Sequence, residues 1–356
     1  MVKILMCGPD SSAGGVANHT TNLIRSLSNL GYDVTFHKFR GSNIKKLYQR
    51  TIGLAASIFF GRNKYDIIHI QSSGRLFSFI SAIFGVTIGH IVRKKIVVTF
   101  HYSDENFYKK YRSLLAYVIM NSTLFITVSN RNKKLLSKYI DETLRSKIQV
   151  IPNGYDHTLF KPLDRKICRE KINIDLNSRI LVNIANLREH KRHVDIIDAV
   201  YKIVNNYGMK NIKCYIIGSG PLYSHLNNYI VDRHLEENVT LTGWAESKIL
   251  PVYLNAADLF VFASQPDGES FGIVQIEAMG CGIPVIASRN GASEEIIAED
   301  ISGLLYRATD PIELAEKIVM GFDRQWDQEK ILRYAERYTW ENVAKETVEV
   351  YTRILE

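Results

Sequence analysis

Short runs dense in β-branched and apolar residues recur along the chain, and between them apolar positions return every three or four residues. A strand covered on both faces reads as a continuous apolar run, and a helix lying on a sheet reads as one apolar stripe. The alternation therefore predicts β-α-β units feeding parallel sheets. In the first half, strands are expected at 2–8, 33–38, 67–70, 96–100, 124–128 and 148–151. A Gly/Ser loop over 9–15 leads from the first strand into a helix over 16–30, which Gly31 ends. The polar stretch 152–164, punctuated by Pro152, Gly154 and Pro162, is expected as a linker. A second series follows, with strands at 179–184, 212–217, 239–241, 259–262, 284–287 and 303–306, and a tail of helical period from 311 to 356.

Residues 76–92 stand apart, because they are almost wholly uncharged and run straight into Arg93-Lys94-Lys95. At 17 residues the segment lies at the lower limit for a membrane span, and crossing there would split two neighbouring β-α-β units. A buried or interfacial helix is expected instead.

A chain of 356 residues is about twice a typical domain, so two α/β domains are the natural reading. Cys7, Cys168, Cys214 and Cys281 are scattered, which argues against a structural zinc or a disulfide framework and fits a reducing compartment. The first residues enter an apolar strand without signal-peptide architecture, so a cytoplasmic protein is expected. Charge is unevenly divided. Residues 1–165 carry 24 Lys and Arg against 9 Asp and Glu, and 166–356 carry 21 against 28, which splits the overall +8 into +15 and −7. A basic half beside an acidic one points to a membrane surface, nucleic acid or an anionic substrate, unless the charges only solubilise helix faces.

The most informative stretch runs from Phe260 to Ser288, FVFASQPDGESFGIVQIEAMGCGIPVIAS. A strand should end at Ser264, a polar loop should follow, and a helix should begin near Phe271-Gly272. Free amides at that helix start suit a phosphate. Glu277 would lie about two turns further on, within reach of a ribose, and Glu269, at the mouth of the loop, could accept from sugar hydroxyls. Two solvated acids on an ordinary helix would look the same in isolation. Gly8, Gly14 and Gly15 do not fit the G-x-G-x-x-G dinucleotide fingerprint, and Gly218-Ser219-Gly220 lacks its third glycine. A D-x-D triplet, which many sugar transferases use to hold a divalent ion, is absent.

Glu269-Ser270-Phe271-Gly272, Glu277-Ala278-Met279 and the run from Gly282 to Ala287 together resemble the E-x7-E signature of family 4 glycosyltransferases. Other motifs are similar to that family along most of the chain: Gly14-Gly15-Val16, Ile151-Pro152-Asn153-Gly154 with Asp156 and Phe160, Ile217-Gly218-Ser219-Gly220-Pro221, Ser302-Gly303-Leu304-Leu305 and Thr339-Trp340-Glu341.

The resemblance implies two Rossmann-like domains facing each other across a cleft, the fold called GT-B. The acceptor domain would span 1–164, the nucleotide-sugar domain 165–339, and a last helix from 340 would cross back to the first domain. It implies that Glu277 binds the ribose, Glu269 contacts the donor sugar, and the amides of Ser270, Phe271 and Gly272 approach the sugar and diphosphate. Gly14, Gly15, Gly218 and Gly220 would let the backbone come close to the donor. Lys191 matches the phosphate lysine, and His101 the histidine that faces the donor sugar. One departure concerns the phosphate clamp, since Asn186 stands where the family usually has Arg, and either Arg188 or a sharing of Lys191 with Arg192 would have to replace it.

The implied activity is retaining, metal-independent transfer from a UDP- or GDP-linked sugar, with no cofactor beyond that substrate and no nucleic-acid partner. The acceptor would be a carbohydrate or a lipid-linked species met by peripheral contact with the inner face of an anionic membrane. The competing readings are an epimerase or hydrolase of the same fold, and a non-catalytic protein that binds anionic lipid or nucleic acid.

Overall fold

The structure is a computed structural model that describes residues 2–10, 14–40, 43–74, 76–266 and 268–356. The chain divides into two compact units: the residues up to Gly154 joined by Tyr338–Glu356, and Tyr155–Arg337.

The first unit holds β1 (Lys3–Gly8), β2 (Asp33–Lys38), β3 (Ile67–Ser72), β4 (Lys95–Phe100), β5 (Leu124–Thr127) and β6 (Ile148–Val150). They form one parallel sheet in the order β2-β1-β3-β4-β5-β6. Chain order reverses between β1 and β3, and such a switch point opens a crevice beyond the carboxyl ends of the two strands.

The second unit holds β7 (Arg179–Ile184), β8 (Ile212–Ile217), β9 (Val239–Gly243), β10 (Leu259–Phe262), β11 (Val285–Arg289) and β12 (Gly303–Arg307). This sheet is also parallel, ordered β12-β11-β10-β7-β8-β9, with its switch point between β7 and β10. Both units are Rossmann-like. The expected strands all form, because continuous runs such as Leu259–Phe262 are buried at every position.

The unit limits differ from the expected ones. Residues 155–164 belong to the second unit because their partners lie there. The Tyr155 ring packs on Gly280, Phe160 is buried, and Asn255 accepts from the Leu163 N–H and donates to the Lys161 carbonyl. The helix Trp340–Leu355 belongs to the first unit, where Trp340, Val343 and Val350 share a core with Ile4, Met6 and Leu27.

The apolar segment after residue 75 forms the helix Leu76–Ile91. Gly85 and Gly89 let it press on the sheet, since a Cβ at either would fall 2.1 Å from Ile70 Cδ1 or 2.4 Å from Ile96 Cδ1. Two further helices, Asn43–Arg50 and Ile52–Phe60, fill the connection between β2 and β3 and pack with it. Among the described residues no helix is long and apolar enough to cross a membrane.

Candidate active site

Two loops leave the switch point of the second unit. After β7 the chain passes Asn186 and Arg188, makes one 3-10 turn at Glu189–Lys191, and leaves it through Arg192 at a left-handed φ of 48°. After β10 it runs through Ser264 towards the helix Ile273–Gly280. The two loops are tied together, because the Gln265 N–H donates to the His190 carbonyl at 2.8 Å and the Ser264 hydroxyl to the same oxygen at 3.2 Å. This seam places the Lys191 ammonium directly on the Glu269 carboxylate, with the Phe262 ring centroid 5.5 Å from Nζ. His190 beside them has its pKa lowered by burial and by the Lys191 charge, so its ring stays neutral.

The helix starts at Ile273, slightly later than expected. Glu277 is therefore its fifth residue and lies about one turn in rather than two. Gly272 caps it at φ 92°, a left-handed turn that any side chain would obstruct, since a Cβ there would meet Gln275 Nε2 at 2.4 Å. Phe271 is buried just before the turn, and Ser270 stands half-buried beside it. Glu277 keeps some accessible surface, yet its carboxyl is packed among enough protein atoms that burial pushes its pKa up to about 7. No cation or donor among the described residues pairs with it.

The glycines Gly218 and Gly220 have a structural reason to be glycine. A Cβ on Gly218 would fall 2.0 Å from the Ala185 carbonyl oxygen, and one on Gly220 2.4 Å from that of Leu187. They let the turn after β8 press on the loop that carries Arg188 and Lys191, where the Leu187 N–H donates to the Ser219 carbonyl. Arg192 is engaged elsewhere, since its Nε and Nη2 both donate to buried Asp195, at 2.9 and 2.6 Å. Arg188 is exposed and makes no ion pair with any described residue, so it is the cation that remains.

In the first unit, His101 follows the end of β4, and its N–H donates to the Ser72 carbonyl at 2.9 Å. Its Nε2 donates to Gln71 Oε1 at 2.8 Å. The Gln71 amide nitrogen points to Met6 Sδ and to His69 Nε2, which also accepts from the Thr99 hydroxyl at 2.7 Å. His69 Nδ1 therefore carries the proton and donates it to Tyr351 Oη. His19 packs edge-on against His101, with ring centroids 4.4 Å apart, and its Nδ1 meets Asn153 Oδ1 at 2.9 Å.

Burial lowers His19 to about 4 and His69 to about 3, and burial plus these two neighbours hold His101 well below the usual histidine range. All three are neutral at pH 7. The sequence reading found only His101 in this network. The missed signal is the pair His69 and Gln71, polar residues two apart on one face of an otherwise apolar strand.

Gly14 sits at φ 123° ahead of the helix Gly15–Asn29, and a Cβ on Gly14 or Gly15 would meet open space. Ser11, Ser12 and Ala13 of the same loop lie outside the described residues. Among the described residues no three His, Cys, Asp or Glu side chains are grouped so as to hold a metal ion.

Residues 164–337 match the family described as Glycosyl transferases group 1, and residues 13–159 match Glycosyltransferase Family 4. The chain belongs to glycosyltransferase family 4. This glycosyltransferase is 28% identical over 319 residues to an uncharacterized glycosyltransferase of Methanocaldococcus jannaschii, covering 83% of this chain and 77% of that one. It is 28% identical over 234 residues to N-acetyl-alpha-D-glucosaminyl L-malate synthase of Bacillus anthracis, covering 64% of this chain and 58% of that enzyme. Its fold is that of Anabaena HepE, solved in complex with UDP, with a TM-score of 0.78 at 19% identity over 99% of this chain and 100% of that one. The glycosyltransferase is thus of GT-B type.

Proposed function

We propose that this protein transfers a sugar from a UDP- or GDP-linked donor, with retention of anomeric configuration and without a metal ion, to an anionic acceptor presented at a membrane surface. The donor half rests on the switch-point cluster of the second unit: a lysine seated on one glutamate, and a second, desolvated glutamate one turn into the adjoining helix. Ribose hydroxyls are neutral donors that such a carboxylate accepts, and the open amides at the helix start suit a diphosphate.

As the bond to the leaving diphosphate breaks, negative charge grows on it, and Lys191 is the cation set to neutralise that charge. Glu269, released from the lysine, then accepts from the sugar hydroxyls. The leaving phosphate takes the acceptor's proton on the face it departs from, so configuration is retained. His101 of the first unit, held neutral, can take part in a hydrogen bond but brings no charge. The UDP bound by Anabaena HepE supports a nucleotide donor, and the L-malate in the name of the Bacillus enzyme, a dicarboxylate, supports an anionic acceptor.

A thermal-shift screen of nucleotide-sugars tests the donor half, since a donor at 100 times its dissociation constant adds about 2.7 kcal/mol of stability. With the donor found, transfer is expected to continue in EDTA. Its loss there, with recovery in Mg²⁺ or Mn²⁺, would overturn the metal-free mechanism.

The membrane reading rests on the outer surface of the first unit. Ile44 and Phe60 are 84% and 78% exposed, and Tyr48, Ile52, Phe77 and Ile91 project from the same three packed helices. Arg62, Lys64, Arg93 and Lys95 stand exposed at the ends of two of these helices. Apolar side chains would enter the headgroup boundary, while each cation near an anionic leaflet adds about 1 kcal/mol. The protein is expected to float with vesicles that contain anionic phospholipid and to release them as salt is raised. Failure to bind either anionic or neutral vesicles would leave a soluble acceptor as the better account.

A further inference from the structure

A cavity of about 530 Å³ opens at the switch point of the first sheet. It is lined by Pro9 and Val16 beyond β1, Ser73 and Phe77 beyond β3, and Lys46 and Arg50 of the helix Asn43–Arg50. Arg50 is only 8% exposed. Its Nη1 donates to the Ser78 carbonyl and hydroxyl at 3.1 and 3.0 Å, and its guanidinium lies 4.9 Å from the Phe39 ring centroid and 5.5 Å from that of Phe77. Its Nε is buried without a partner, and no carboxylate among the described residues pairs with it. Asp10, just beyond Pro9, lies against Lys38 and Arg40 instead.

A desolvated guanidinium without a counter-charge is costly, and an anionic ligand would supply the missing charge. Burial lowers the Arg50 pKa to about 10, so the group stays charged at neutral pH and its need for an anion persists. A guanidinium fork paired with an ammonium matches the several oxygens of a phosphate better than the two of a carboxylate.

We propose that this cavity is an anion site in which Arg50 and Lys46 bind a phosphate group of the acceptor. The proposal rests on the transfer reading for the word acceptor alone, since phosphate binding by Arg50 is measurable without any sugar transfer. The two carriers of such a group are a soluble phosphate ester and a phospholipid headgroup.

Glycerol 3-phosphate, with glycerol as its uncharged control, is the soluble probe, titrated by calorimetry against the full chain. Vesicles of phosphatidylcholine with or without phosphatidic acid are the lipid probe. Arg50→Met is expected to weaken binding of the phosphate-bearing probe by roughly tenfold or more, as befits a lost hydrogen-bonded charge, and Arg50→Lys by less. Binding by the soluble ester identifies a soluble phosphate, and binding confined to phosphatidic acid vesicles identifies a headgroup. Either supports the site when it falls with Arg50→Met. Lys191→Ala separates this site from the donor site. Phosphate binding that survives Arg50→Met but is lost in Lys191→Ala, or that neither probe shows, overturns the proposal. Equal melting temperatures of Arg50→Lys and wild type guard against an unfolded variant passing for a lost site.

Discussion

Lys191→Ala is expected to lower kcat by roughly 10²-fold or more, the loss typical when one fixed donor to a developing oxyanion is removed. The lysine is positioned by the 3-10 turn, by the Phe262 ring and by the seam that joins the two switch-point loops, so another side chain cannot easily take its place. Arg192, next in sequence, is held by Asp195 through two hydrogen bonds. Arg188 is the one neighbour able to compensate, so Arg188→Ala alone should be mild, while the double variant should lose more than the product of the two single losses. Glu269→Ala should also lower turnover more than donor affinity if, as proposed, it contacts the sugar, where charge develops. Steady-state kinetics at saturating donor decide the matter. A loss below about tenfold in Lys191→Ala would remove the lysine from the departure step.

Donor affinity is expected to fall as the pH drops from 8 to 6, and Glu277→Gln should abolish that dependence while weakening binding at pH 8. In the empty protein the Glu277 carboxyl titrates at about 7. Ribose hydroxyls that donate to it favour the ionised form, so binding must drive off its proton below that pH, at a cost of up to about tenfold in affinity per pH unit. The same shift acts on stability with a definite sign. A carboxyl whose folded pKa is raised favours folding fully below its ordinary value of 4.5, and that contribution is lost as the pH rises through about 7. The loss is on the order of 3 kcal/mol. Glu277→Gln, which cannot ionise, should therefore melt higher than the wild type at pH 8 without ligand, and the difference should shrink towards pH 5. Parallel melting curves for the two proteins across this range would show that the carboxyl is not desolvated in solution.

The strands were legible because burial on both faces leaves a mark in composition: 179–184 and 259–262 form within their expected limits. The helices Asn43–Arg50 and Ile52–Phe60 left less. The second is apolar nearly all round, so it carries no helical period to read. The boundary between the units escaped because polarity marks 152–164 as a linker, whereas the packing of Tyr155 and Phe160 decides where it belongs. In the site, residue types and spacing pointed to Glu269 and Glu277, and the family resemblance to Lys191, but no pattern could show that Arg192 is already engaged by Asp195. Nor could a sequence rich in exposed cations reveal that one of them, Arg50, is buried without a carboxylate partner.

The return of the last helix to the first unit has a consequence for how the chain matures. Val343, Val350 and Tyr351 complete the core that β1 begins, so the first unit depends on side chains that are synthesised only after the whole second unit. The second unit is one continuous stretch, Tyr155–Arg337, and has all its strands before those residues exist. Vectorial synthesis usually lets the amino-terminal domain fold first. In this chain the second unit can settle while the first still exposes β1 and the helix Gly15–Asn29, whose partner Trp340–Leu355 follows it in the chain.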